Sequence, residues 1–180
     1  MNSFIQSLTY FRIISGPAIF ILVVNYEYFG WALIIFIFAS SSDFWDGYLA
    51  RKYKLESVTG AILDPIADKI LLVFLLFALV SNIDSFFIAF ASSVILAREF
   101  WVSALRDLNA RRGRSQLTKV SFLAKLKTAF QLATLALYLL ALYLNLSILM
   151  LFADFGLFAS LIITIQTGLQ YTIESFKKSQ

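Results

Sequence analysis

Six apolar stretches of about 20 residues, separated by short polar breaks, constrain this chain more than any other feature. They lie at roughly 6–25, 30–50, 60–81, 85–106, 124–144 and 153–173. A helix of about 20 apolar residues is what crosses a hydrocarbon core about 30 Å thick. The composition agrees. Of 180 residues, 60% are hydrophobic and 14% charged, against about a quarter charged in a soluble domain. The expected fold is an all-α integral membrane protein with six transmembrane helices in a single domain, residues 1–180. The first stretch has the early cation and apolar run of a secretion signal. No small-residue cleavage site follows Val24, so an uncleaved first span is expected. Pro17 is expected to bend that span. Pro65 is placed near the start of the third, where a missing N–H costs little.

The cations set the orientation. All fifteen Lys and Arg fall at Arg12, within Arg51 to Lys69, within Arg98 to Lys127, or at Lys177 and Lys178. The other breaks carry only Glu27, Asp84 and Asp154. With six spans, the excess of cations on the cytoplasmic side puts both termini and the 51–59 and 107–121 loops in the cytoplasm. Asp154 is expected at the outer interface, beside a break running from Leu144 to about Leu151. The formal charge of +4 then reflects topology and contact with anionic membrane lipid, and no nucleic-acid partner is expected.

Charged groups within spans are costly and usually functional. From Gly30 to Asp43, from Asn82 back to Asp68, and from Asp84 to Arg98, the helical rise is in each case roughly 20 Å. Three spans therefore bring ionisable groups to one level, about 10 Å beneath the cytoplasmic surface of the core. A polar cavity open to the cytoplasm follows. Asp43, Asp46, Gly47 and Ala50 share one helical stripe, and Gly60, Asp64 and Asp68 share another. The small residues admit a close neighbour or a ligand. If the stripes face each other, four carboxylates share a small space and need a cation among them. The chain has no His and no Cys, which excludes thiol chemistry, structural zinc and His-based catalysis. An all-oxygen donor set favours Mg²⁺ or Mn²⁺, and four carboxylates suit two ions.

Read together, these residues give the pattern Asp43-x2-Asp46-Gly47-x2-Ala50-Arg51-x8-Gly60-x3-Asp64-x3-Asp68, eight specified positions over 26 residues. It resembles the signature of the CDP-alcohol phosphatidyltransferases. The resemblance implies six spans, metal held by Asp43, Asp46, Asp64 and Asp68, and Asp68 as general base. It implies a nucleotide pocket lined by Gly47, Ala50, Arg51 and Gly60, with a contribution from Ser57. Further likeness is to the branch of the family that makes phosphatidylglycerophosphate. It rests on Leu63-Asp-Pro-Ile-Ala-Asp-Lys69, Arg98-Glu99, Ser103-Ala-Leu-Arg106 and Lys125-Leu-Lys127-Thr128. At the N-terminal edge of the pocket Thr9 and Arg12 match the branch, whereas Gln6 stands where it usually has Asn. The resemblance also implies a homodimer and the inner (plasma) membrane of a bacterium.

The implied reaction is transfer of a phosphatidyl group from CDP-diacylglycerol to glycerol 3-phosphate, with release of CMP. The acceptor's phosphate would need cations, and Arg98, Arg106, Lys125 and Lys127 gather at the cytoplasmic ends of spans four and five. For Arg106, Lys125 and Lys127 the competing reading is reach to anionic headgroups. For Arg98 it is a structural pair with Glu99. A sibling transferase using inositol phosphate, serine or phosphatidylglycerol stays open, as does a cation transporter with mid-membrane carboxylates.

Overall fold

The computed structural model describes the backbone of residues 2–53, 58–114, 116 and 122–177, and the side chains of residues 7–42, 63–114, 116 and 126–177. The described backbone is all-helical: α1 (Asn2–Val24), α2 (Phe29–Tyr53), α3 (Val58–Asn82), α4 (Phe86–Arg111), α5 (Phe122–Leu144) and α6 (Ser147–Lys177). Their number and order match the six apolar stretches. Among the described residues, four helices are long and apolar enough to cross a membrane: α1, α4, α5 and α6. Of α2, the part whose side chains are described, Phe29–Ser42, is apolar as well. Large apolar side chains point outward, including Ile14 at 67%, Phe38 at 65% and Phe86 at 86% exposed. Water would penalise such a surface, and lipid does not.

Three boundaries differ from expectation. The break between the last two helices is short, because Asn145 takes a left-handed φ of 52° and the chain re-enters a helix at Ser147. Asp154 therefore lies inside α6 and not in a connecting segment. A single charge does not stop a helix whose flanks, Ile148–Phe152 and Phe155–Phe158, are apolar. At its C-terminal end α4 runs on to Arg111 and turns through Gly113 at φ 68°. Finally, Pro65 is not in the first turn of α3 but in its interior, where the missing N–H removes one helical hydrogen bond.

The chain divides into two compact units. One comprises residues 1–84 with 135–150, the other 85–134 with 151–180. In the first, α1 packs on both α2 and α3. Ile19 and Val23 of α1 and Leu75, Leu76 and Leu79 of α3 are buried in its core. Gly16 makes the α1–α3 approach close: a Cβ there would meet Ile70 and Phe74 at 3.2–3.3 Å. Phe20 and Phe74 meet edge to face nearby.

In the second unit Ser85 caps α4, its hydroxyl accepting from the Ile88 N–H at 3.4 Å. Gly156 lets α6 close on α5, where a Cβ would stand 2.7 Å from Thr134 Oγ1. Polar pairs then join α4 to α6. Trp101 Nε1 donates to Thr172 at 2.9 Å, and Asn109 Nδ2 donates to Ser175 at 2.8 Å. The Asn109–Ser175 pair is buried, and pairing of this kind makes polar groups tolerable in the interior of a helical bundle.

Candidate functional site

In the first unit, Asp64 and Asp68 stand four residues apart on α3, so their side chains share one face. Their side chains are 37% and 50% exposed. Two α1 residues, three apart and so on the same face, reach them. Thr9 donates its hydroxyl to Asp64 Oδ1 at 2.8 Å. Arg12 donates through Nη2 to Asp64 Oδ1 at 3.1 Å and through Nη1 to Asp68 Oδ1. Arg12 is fully buried, and Thr9 nearly so. The close α1–α3 approach at Gly16, one turn beyond Arg12, brings the guanidinium within reach of both carboxylates.

This arrangement corrects an emphasis of the sequence. Arg12 there serves as a topology marker and an N-terminal match, and Thr9 as an edge of the nucleotide pocket. In the structure both are bound to the α3 carboxylates. The signal was present in outline: a lone cation in an apolar span, three residues after a Thr, has to find a partner.

The carboxylate pair fits a divalent cation. It is partly open, offers only oxygen, and carries two negative charges against one guanidinium. Among the described residues no third His, Cys, Asp or Glu joins it. Asp43, Asp46, Gly47, Ala50 and Arg51 lie on the α2 helix and Gly60 on α3, with their side-chain surroundings outside the described residues. Ser57 is outside them altogether.

The second unit brings together three of the four cations expected to bind the acceptor. Arg98 donates through Nη1 to Glu99 Oε1 at 2.9 Å and through Nη2 to Thr167 Oγ1 at 2.8 Å. Lys127 Nζ also binds Glu99 Oε1, so one carboxylate oxygen joins α4 to α5. Lys127 is buried and bonded within the bundle. Reach to a headgroup is not its arrangement in this structure. The Arg98–Glu99 pair, the competing reading for Arg98, is present, but as part of a larger cluster. Arg98 and Arg106 both approach the ring of Tyr171 on α6, at 5.9 and 5.5 Å from its centroid. Lys125 belongs to α5, its side chain outside the described residues. A cleft of about 120 Å³ between α5 and α6 borders this cluster, with Lys127, Gln166, Thr167 and Gln170 on its walls.

Thr167 and Tyr171 had no sequence signal beyond their four-residue spacing in an apolar helix. Their role depends on which face of α6 meets α4, and that is a tertiary fact.

Over residues 6–166 the sequence matches the CDP-alcohol phosphatidyltransferase family. It is 40% identical over 129 residues to a Wigglesworthia glossinidia brevipalpis protein named CDP-diacylglycerol–glycerol-3-phosphate 3-phosphatidyltransferase, covering 69% of this chain and 70% of that one. A Salmonella choleraesuis protein of the same name is 37% identical over 133 residues, 72% of each chain. One from Yersinia pestis is 36% identical over 132 residues, 71% of each.

Proposed function

The chain belongs to the CDP-alcohol phosphatidyltransferase family, and from that premise we propose that it transfers the phosphatidyl group of CDP-diacylglycerol to glycerol 3-phosphate, giving phosphatidylglycerophosphate and CMP. As a family member it is a transferase of phospholipid biosynthesis. The observation that supports the specific acceptor is the gathering of Arg98, Arg106 and Lys127 in one cluster, as a phosphorylated acceptor needs; the spacing from Asp43 to Asp68 carries the family's transfer chemistry.

Asp43, Asp46, Asp64 and Asp68 would hold two divalent ions, Mg²⁺ or Mn²⁺. When bound, these supply charge neutralisation for the donor's pyrophosphate and for departing CMP. Gly47, Ala50, Arg51, Ser57 and Gly60 would line the cytidine side, with Thr9, bonded to Asp64, at its edge. Asp68 takes the proton of the acceptor hydroxyl. That oxygen bonds to the phosphorus nearer the lipid, while the bond from this phosphorus to the bridging oxygen breaks and CMP leaves. Arg12 keeps Asp64 and Asp68 in register on their shared face. Arg98, Arg106, Lys125 and Lys127 receive the acceptor's phosphate.

The chain works as one membrane domain with both termini and the reaction cavity on the cytoplasmic side of a bacterial inner membrane. Support for this orientation comes from the distribution of all fifteen cations. Acyl chains remain in lipid, and a second copy of the chain completes a homodimer.

The test is CMP release by purified protein from CDP-diacylglycerol against a panel of acceptors. Release with glycerol 3-phosphate, and not with serine, inositol phosphate or phosphatidylglycerol, is expected. Preference for one of the others would move the chain to a sibling branch. No CMP release with any acceptor would remove the reading.

A further inference from the structure

Arg98 and Arg106 lie eight residues apart on α4, about 12 Å along its axis, yet both guanidinium groups converge on one ring, Tyr171. Three features of α6 make this convergence. Gly168 leaves a notch for the Arg98 stem, since a Cβ there would come within 2.9 Å of Arg98 Cγ. Thr167 accepts from Arg98 Nη2. Tyr171 packs with Val102 of α4 and is only 4% exposed, so its ring cannot swing away.

The cluster is also incomplete. Arg98 has a side chain only 10% exposed. Its Nε, like that of Arg106, is buried without a hydrogen-bond partner. Buried donors of this kind call for an acceptor. The charges state which kind: among the described residues, Arg98, Arg106 and Lys127 carry three positive charges against the one carboxylate of Glu99. Two net positive charges match a phosphate monoester dianion better than a diester or a zwitterion.

We infer that Tyr171 is a positioning residue that gathers the Arg98 and Arg106 guanidinium groups for the phosphate monoester of the acceptor, with α6 thereby setting acceptor specificity. This rests on the proposed glycerol 3-phosphate acceptor. The ring does not touch the reacting atoms. It acts through the face of its π-system, which attracts both cations and holds them without consuming their N–H donors.

The experiment replaces Tyr171 by Leu, by Phe, and by mono-, di- and trifluorinated phenylalanine in the full-length protein. Each fluorine weakens the negative face of the ring while leaving its shape nearly unchanged, so the series does not depend on whether Tyr171→Leu folds. The kinetics are measured with CDP-diacylglycerol saturating and glycerol 3-phosphate varied. Tyr171→Phe is expected to stay within about threefold of wild type, and Tyr171→Leu to raise KM for glycerol 3-phosphate roughly five- to thirtyfold with kcat little changed. Log KM should climb steadily along the fluorinated series. A flat series, or a fall in kcat with KM unmoved, overturns the inference. Arg98→Ala serves as the control on the underlying reading. If it leaves KM for glycerol 3-phosphate unchanged, the acceptor assignment itself fails. If it raises KM while the fluorinated series stays flat, only the role of Tyr171 fails.

Discussion

Replacing Arg12 by Met removes a fully buried guanidinium of similar length and leaves two carboxylates facing each other across one turn of α3. Each charge-assisted hydrogen bond contributes about 1.5–3 kcal/mol. The partners are unequal, because Arg12 is dry whereas Asp64 and Asp68 are 37% and 50% exposed. Water therefore replaces part of what the carboxylates lose, and no charge is stranded on the α1 side. Two contacts discounted by about half leave a loss of roughly 1.5–3 kcal/mol. Reversible unfolding in mixed micelles with EDTA measures it. Arg12→Lys should fall between, keeping the charge but not the fork that reaches both oxygens. Excess Mn²⁺ should then narrow the gap between Arg12→Met and wild type, because a divalent ion that binds only the folded pair stabilises it by mass action. A loss under 0.5 kcal/mol would refute the structural part of this reasoning, on the scale of ordinary surface substitutions at about ±0.5 kcal/mol. If Mn²⁺ leaves the stability of both proteins unchanged, the assignment of Asp64 and Asp68 as metal ligands fails.

The remaining predictions test the other assignments. Asp43→Ala, Asp46→Ala and Asp64→Ala should each abolish metal-dependent CMP release in a folded protein, and EDTA should do the same to wild type; activity in EDTA would contradict the metal site. Asp68→Asn should keep CDP-diacylglycerol binding and lose turnover, since an amide offers an oxygen but takes no proton; a rate near wild type would remove Asp68 as base. Arg98→Ala should raise KM for glycerol 3-phosphate roughly tenfold to a hundredfold with donor binding little changed. A single cysteine introduced at Arg112, in a chain with none of its own, should be labelled only from the cytoplasmic side of sealed cells.

The helices were legible because two strong signals agree: apolar runs of membrane-spanning length, and cations confined to alternate breaks. The start of α6 was not, because Asn145 turns the chain by a backbone conformation that leaves no mark of charge, and Asp154 drew attention to the wrong place. The carboxylate site was legible along one axis only. Four-residue spacing puts Asp64 and Asp68 on one face. Spacing says nothing of which neighbour that face meets. The structure supplies α1, through the notch at Gly16, and with it Arg12 and Thr9.

The same distinction separates what was seen in α4 from what was missed in α6. Arg98, Arg106 and Lys127 were conspicuous because a charge in an apolar span demands explanation from sequence alone. Gly168, Thr167 and Tyr171 demand none, since small, hydroxylated and aromatic residues are ordinary in such helices. Yet the charged groups hold their positions through these residues. Thr167 binds one edge of Arg98, Gly168 admits its stem, and Tyr171 draws Arg106 to the same ring. A long cationic side chain has several rotatable bonds, and ordering it costs entropy. Phosphate recognition needs the guanidinium edge fixed before the anion arrives, so the energy that orders it has to come from neighbours already packed. In a bundle where charge is scarce, those neighbours are neutral. Acceptor specificity in such a protein should therefore change through substitutions on α6 that alter no charge at all.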